Sequence, residues 1–380
     1  VAGHSPALLA PDETAHLARV LIHSIRSILL LLLAGSLLRA EEFPIVTATN
    51  AVIRVMAANL NGNVQSYQDF ALRIFQGLKP DVVAINEFNY GNKTAADFRA
   101  MLNTAFGPEF SYYREPAGNI PNGIISRWPI LTSGSWDDPQ VSDRGFAWAR
   151  IDLPGPDDLY VVCVHLHSSG GASSRNTEAG VIKTRIQSDF PPGAYVVVAG
   201  DFNLDNRSEA ALTTFKTFLK DEPIPTDQSG DPDTNNGRAK PYDLVLNSAS
   251  LRTNFVPVKI GAQSFPNGLV FDSRVYSPLV DVAPVQSADS GQAQHMAVVK
   301  DYRVSFSTTN FVTVSAPALT FERQGILRWT APSNLTWSVQ SATALPNWQP
   351  LGKAASTTTR YAFTNQPPAA GAIFYRVVYP

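Results

Sequence analysis

Cysteine is nearly absent. Cys163 is the single one in 380 residues, so no disulfide within the chain can frame the fold. It sits inside the apolar run 160–164, where a small buried hydrophobe is the expected role rather than a nucleophile. Neither sign of charge prevails, with 30 basic against 32 acidic residues, and only 16% of the chain is charged. Bulk charge therefore does not advertise nucleic-acid binding, although a local cationic groove needs no basic excess. Long apolar runs are also missing: none reaches the roughly 20 residues that cross a bilayer as a helix. The most apolar stretch, 28–34, follows Arg19, His23 and Arg26 and leads into Gly35-Ser36-Leu37-Leu38-Arg39-Ala40. A basic region, a short apolar core and a small-residue exit form the layout of a secretory signal. Residues 1–40 are accordingly expected to be a signal peptide cleaved after Ala40, giving a secreted or periplasmic protein. A retained membrane anchor is the alternative.

What the chain does have is a series of apolar strands that each run out into polar residues. Val196-Val197-Val198-Ala199 stops at Gly200 and then presents Asp201-Phe202-Asn203. The strand 52–56 leads to Asn59, 81–85 to Asn86-Glu87, and 160–164 to His165-Leu166-His167. Asp243 stands at the head of the strand 242–246, and His295 opens the apolar run 296–299. β-Branched runs bounded by Gly read as buried strands. Polar groups gathered at their ends are how a rigid sheet presents a site, which points to an enzyme. Helical spacing is present at 67–78, 178–190 and 208–219, and strands interleaved with helices imply an α/β architecture. A polar loop, 221–240, is expected to be exposed and close to the site.

The order of these motifs, with Gly-Asp-Phe-Asn the most specific, resembles the endonuclease/exonuclease/phosphatase superfamily, which includes deoxyribonuclease I, exonuclease III and bacterial sphingomyelinase. The resemblance covers roughly residues 50–303 and implies a four-layer α/β/β/α sandwich cleaving phosphate esters with a divalent cation. On it, Glu87 becomes the metal ligand, supported by Asn59. The cation is expected to be Mg²⁺, with Mn²⁺ or Ca²⁺ possible, since hard cations take oxygen ligands and few protein carboxylates. Asp201 and Asn203 position water and contact the scissile phosphate. His295 matches the late catalytic histidine, with Asp243 fixing its tautomer for general-base work. His165 is the better match for the second histidine, and His167 competes, both having the same strand parity. Glu115 resembles the glutamate that pairs with that histidine, and Arg127 and Arg144 are candidate phosphate contacts. Asn86 stands where Gln is commoner and is expected only to tune hydrogen bonding.

One departure stands out. Where most members carry an Asp before the late histidine, contributing to the metal region, this chain has Gln294, which brings hydrogen bonding without charge. Weaker cation affinity or a lost second metal site is expected, unless Asp289 compensates. The implied function is a DNA-hydrolysing endonuclease. A sphingomyelinase-like or small-molecule phosphodiesterase is the alternative, and a weakly active homologue acting as a surface-binding protein is the reading from another class. Nucleic acid is the expected partner and a monomer the expected state. After a linker at 304–318, residues 319–380 read as a small all-β module of the kind appended to secreted bacterial enzymes, and this module has room for a surface ligand. Trp329, Trp337 and Trp348 are candidates to line it, with core packing the preferred reading.

Overall fold

The computed structural model describes residues 41–314, 317–322, 325–344, 346–365 and 373–378; the signal segment and part of the linker expected from sequence lie outside the described residues. Residues 48–307 form one unit, and the described residues before 48 and from 308 onward belong to a second.

The first unit is built on two sheets. One has the order β10-β14-β1-β2-β4-β3, with β13 also on β14, and the other runs β5-β6-β7-β8-β9. The strands of the first are β1 (Glu41–Ala58), β2 (Val82–Ile85), β3 (Ser111–Arg114), β4 (Gly123–Ser126), β10 (Phe255–Val256), β13 (Leu269–Phe271) and β14 (Ala297–Val314). Those of the second are β5 (Ile130–Asp137), β6 (Gly145–Ile151), β7 (Leu159–His165), β8 (Tyr195–Asp201) and β9 (Asp243–Asn247). A separate hairpin joins β11 (Val258–Ile260) to β12 (Gln263–Phe265).

Strand parity sorts the side chains into layers. Ile53, Val55 and Ala57 of β1 meet Val161, Cys163, Val197 and Ala199 in a core between the sheets. Met56 and Ala58, on the other face of β1, pack against α1 (Asp69–Leu78) and α2 (Ala95–Ala105). Val162, Val164, Val196 and Val198 turn outward onto α3 (Gly171–Asp189) and α4 (Ala210–Lys216). The result is the expected four-layer α/β/β/α sandwich. Helix α1 ends at Lys79, in the left-handed region with φ 51°, just before Pro80. Helix α2 opens on a capping box between Thr94 and Asp97.

This topology creates the site. β2 runs parallel to β1, and β7 parallel to β8, so the carboxyl ends of all four reach one edge. The register pairs His165 with Asp201 and Asp201 with Asp243. Antiparallel β9 therefore begins where β8 ends.

In the second unit, β15 (Thr320–Glu322), β16 (Ile326–Thr330) and β19 (Arg360–Thr364) form one sheet; β17 (Thr336–Ala342), β18 (Gln349–Ala355) and β20 (Phe374–Val378) form another. Trp329 and Trp337 are buried with Leu327, Val339 and Tyr361, so these two tryptophans are core. Trp348 is half-buried beneath the Arg376 guanidinium.

Candidate active site

Asn59, from the end of β1, donates through Nδ2 to Asp201 Oδ2 (3.2 Å) and, at 3.4 Å, to Glu87 Oε1. Glu87 occupies the left-handed region at φ 49°, an uncommon place for glutamate and one that functional sites tend to hold under constraint. Its carbonyl accepts from Asn61 Nδ2 (2.9 Å) and from the Asn89 N–H (2.6 Å), which fixes the turn. Burial raises the pKa of the Glu87 carboxyl. Three buried oxygens here have no hydrogen-bond partner: Glu87 Oε2, Asn59 Oδ1 and Asn61 Oδ1. A carboxylate and two carboxamide oxygens left unsatisfied form the hard donor set a Mg²⁺-like cation takes, so these residues fit such an ion.

Beside them lies a proton-handling group. His295 Nδ1 donates to Asp243 Oδ2 at 2.9 Å, and that same oxygen accepts from Thr234 Oγ1 (2.9 Å). Burial opposes the His295 charge, yet the carboxylates of Asp243 and Asp201 outweigh it and lift the pKa to about 9. His295 therefore holds its proton at neutral pH, with Nε2 left for chemistry. Asp201 Oδ2 lies 3.6 Å from His295 Nδ1 and 3.4 Å from His165 Nε2. Asp201 Oδ1 accepts from the Asn203 N–H (2.9 Å), and burial raises its pKa to about 6. Asn203, at φ 49°, turns its amide onto the Leu166 carbonyl (2.9 Å). Burial, with Arg144 and His295 adding repulsion, pushes the pKa of His165 well below the ordinary histidine range. The two histidines thus differ in protonation, which leaves His295 as the proton donor of the pair. Ligand-type atoms of Asp201, Asp243 and His295 lie within 4.8 Å of one another. His295 Nδ1 and Asp243 Oδ2 are spent on each other (2.9 Å) and Asp201 Oδ1 on the Asn203 N–H (2.9 Å), so the proton-handling reading suits this trio better than a metal cage.

Asn86 is far more than a tuner of its neighbour. Fully buried, it donates to Asn122 Oδ1 (2.8 Å) and the Val164 carbonyl (2.8 Å) and accepts from the Asp201 N–H (3.0 Å). It thereby ties the ends of β2, β7 and β8 to the residue before β4. Gly200 belongs to the same junction: at φ 126°, a Cβ would lie 2.3 Å from the Val164 carbonyl oxygen and 2.9 Å from Asn86 Oδ1.

Five expectations change on this geometry. Arg127 follows β4, which runs antiparallel to β2, and so falls at the far end of the sheet, bonded to Asp81 Oδ1 (3.2 Å). His167 lies beyond the last residue of β7, where strand parity ceases to apply; its ring turns to Ser169 Oγ (3.2 Å) and outside the hydrogen-bonded set. Glu115 pairs with neither histidine. Its carboxylate accepts from the Asn122 N–H (2.7 Å), the Gly145 N–H (3.0 Å) and Ser135 Oγ, clamping β4 to β5 and β6. Arg144 is buried and donates to the carbonyls of His165 (2.6 Å) and Leu166 (3.1 Å), so it positions the histidine strand. Gln294 donates through Nε2 to the Gly62 carbonyl (2.9 Å) and its backbone N–H to the Asn61 carbonyl (2.7 Å). It straps the Asn59–Gly62 turn rather than lending a ligand oxygen. Asp289 does not stand in for it, since Arg73 engages both its oxygens (2.6 and 3.0 Å).

The loop 221–240, expected to be exposed and close to the site, is tied down by ion pairs and reaches the site through Thr234. Arg238 bridges Asp227 (2.9 Å) and Asp272 (2.8 Å), and Thr234 reaches Asp243. Lys240 lies 5.7 Å over the Tyr242 ring with its ammonium on Asp205 Oδ1 (2.6 Å), and that ring packs 5.3 Å from His295. Asn61 and Thr234 escaped the sequence reading, and Asn122 was given no role of its own. Asn61 carried a usable signal, two residues from Asn59 past the same strand end.

Glu178 of α3 accepts the His167 N–H on both oxygens (2.9 and 3.1 Å); burial, then Asp138 beside it, raises its pKa. A carboxyl whose folded pKa exceeds its unfolded value takes up a proton on folding. Its stabilising contribution is complete below the unfolded value of about 4.3 and is lost as pH rises through the folded one. Glu178→Gln, which cannot titrate, is expected to flatten the fall of Tm between about pH 5 and 9. A slope identical to wild type in thermal melts would refute this.

The model of the endonuclease/exonuclease/phosphatase family matches residues 56–265. Among solved structures, an endonuclease/exonuclease/phosphatase from Beutenbergia cavernae DSM 12333 is similar at 15% identity and TM-score 0.47, over 86% of this chain and 100% of that one. The human Nocturnin catalytic domain with bound sulfate anion aligns at 13% identity and TM-score 0.46, over 70% and 98%. D. rerio TDP2 complexed with single strand DNA product aligns at 15% identity and TM-score 0.46, over 66% and 99%. No curated protein matches the chain.

Proposed function

The chain belongs to the endonuclease/exonuclease/phosphatase family, and on that premise we propose that it is a divalent-cation-dependent phosphodiesterase acting on DNA, exported from the cytoplasm. The observation that carries this reading is the Asp243–His295 pair (2.9 Å) standing next to Asp201, with unsatisfied Glu87 and Asn59 oxygens alongside. A cation held by Glu87, Asn59 and Asn61 would neutralise charge on the phosphoryl oxygens. The protein's own groups divide the remaining work. Asp243 orients the His295 ring and stabilises its proton, so Nε2–H can meet a phosphoryl oxygen. Asp201 and the Asn203 carboxamide orient the water. Neutral His165 stands with Nε2 3.4 Å from Asp201 Oδ2 and closes that side of the carboxylate. Support for a nucleic-acid substrate comes from the rim, where the Tyr242 ring packs 5.3 Å from His295 and offers a face for a base, with the Lys240 ammonium over that ring held by Asp205 (2.6 Å).

The test is hydrolysis of duplex DNA, RNA, sphingomyelin and bis-p-nitrophenyl phosphate by the chain from Glu41 onward, each with Mg²⁺ and with EDTA. Mg²⁺-dependent nicking of DNA is expected. Cleavage of sphingomyelin alone would replace the DNA reading, and turnover undiminished by EDTA would end the metal-dependent one.

A further inference from the structure

Charge is unevenly distributed along the sequence. From Val304 to the end there are Arg323, Arg328, Lys353, Arg360 and Arg376 against Glu322 alone, so the acidic excess lies entirely in the remainder. Strands β18, β17 and β20 form one antiparallel sheet, and none of the three contains a carboxylate. The register sets Lys353 and Val378 on either side of Ser338, and Pro350 and Arg376 on either side of Gln340. The alternate residues Trp337, Val339 and Ala354 are core, with Tyr375 and Val377 packed against them. Lys353, Gln340, Arg376 and Phe374 therefore share the outward face. There Arg376 stacks 4.4 Å from the Trp348 ring and donates to the neutral Gln340 Oε1 (2.7 Å), while Phe374 is 43% exposed.

We infer that this outward face of the second unit binds single-stranded nucleic acid. Lys353 and Arg376 are one strand apart on either side of β17, about 10 Å across the sheet, with no carboxylate between them to compensate their charge. Uncompensated cations beside flat, partly exposed rings are the two elements that hold a phosphate backbone and its bases. A neutral glycan would use the rings and gain nothing from the charges. The choice of nucleic acid among polyanions rests on the phosphodiesterase reading above: a tether for the polymer raises its local concentration at the same chain.

The test uses the full chain carrying Asp201→Asn, in EDTA, with a fluorescent oligo-dT followed by anisotropy across a salt series. Adding Lys353→Glu and Arg376→Glu, both exposed and so tolerated by the fold, is expected to weaken binding about tenfold or more and to flatten its salt dependence. The same two changes on the active chain should leave hydrolysis of bis-p-nitrophenyl phosphate unchanged. Oligo-dT affinity unaffected by the charge reversal would overturn the inference. So would a sulfated glycan that competes better than oligo-dT, since the face would then read charge alone. If the active chain fails to cleave the small diester, the phosphodiesterase reading falls by itself, and the anisotropy still decides the face.

Discussion

Asp201→Asn is expected to lower turnover of a diester substrate about a thousandfold or more, while leaving the melting temperature within a few degrees of wild type. The substitution keeps the shape of the side chain and the oxygen that accepts the Asn203 N–H. It removes the charge facing His165 at 3.4 Å, His295 at 3.6 Å and Asn59 at 3.2 Å. Those three contacts converge on one oxygen, so no neighbour can take over its work. Stability behaves differently. Burial makes the Asp201 carboxylate costly, as its raised pKa of about 6 reflects, so neutralising it offsets part of what the lost contacts supplied. Steady-state kinetics with Mg²⁺, read beside a thermal melt, separates the two effects. Activity within tenfold of wild type would remove Asp201 from the chemistry, and a collapsed melt would make its role structural.

The sequence-predicted site residues that the structure brings together share one property: each lies at or within two residues of the end of a strand whose apolar run is unmistakable. Asn59, Glu87, Asp201, Asn203, Asp243 and His295 all meet at one edge because parallel strands deliver their ends there. Periodicity names the strands, and the handed, layered packing of such units does the rest. The residues misassigned from sequence depend on facts that one strand's pattern does not contain. His167 shares the parity of His165, but β7 stops at His165, and beyond it the Glu178 carboxylate takes the His167 N–H while the ring turns to Ser169. Arg127 sits beside an apolar strand too, yet at its wrong end, which only the antiparallel pairing of β4 with β2 reveals. Gln294 looks like a lost ligand when read as a substitution. In the fold its donor is the useful group, because a carbonyl at Gly62 needs an N–H that Asp could not offer.

Asn86, expected from sequence only to tune its neighbour's hydrogen bonding, should on replacement by leucine have a large effect on stability. The side chains share the same heavy-atom count and branching, but leucine leaves the Asn122 Oδ1, the Val164 carbonyl and the Asp201 N–H without their partner in a fully buried junction. Each buried polar group so abandoned costs roughly 1–3 kcal/mol. Together the three approach half of the 5–15 kcal/mol that holds a typical domain folded. The junction cannot relax around the change, because Gly200 brings the β8 backbone against Asn86 Oδ1 on one side and Val164 on the other. Denaturant unfolding should therefore show a midpoint lowered in proportion to a loss of about 4 kcal/mol or more, with an unchanged slope. Activity should fall even in the fraction that remains folded, because the Asp201 backbone loses the hydrogen bond that sets it against β2. Asn86→Asp supplies the contrast: it keeps the acceptor for the Asp201 N–H and loses both donors, so catalysis should suffer less than in the leucine variant although stability again drops. Equal losses of activity in the two variants would mean that Asn86 acts only by holding the fold together, and that the position of Asp201 is set elsewhere.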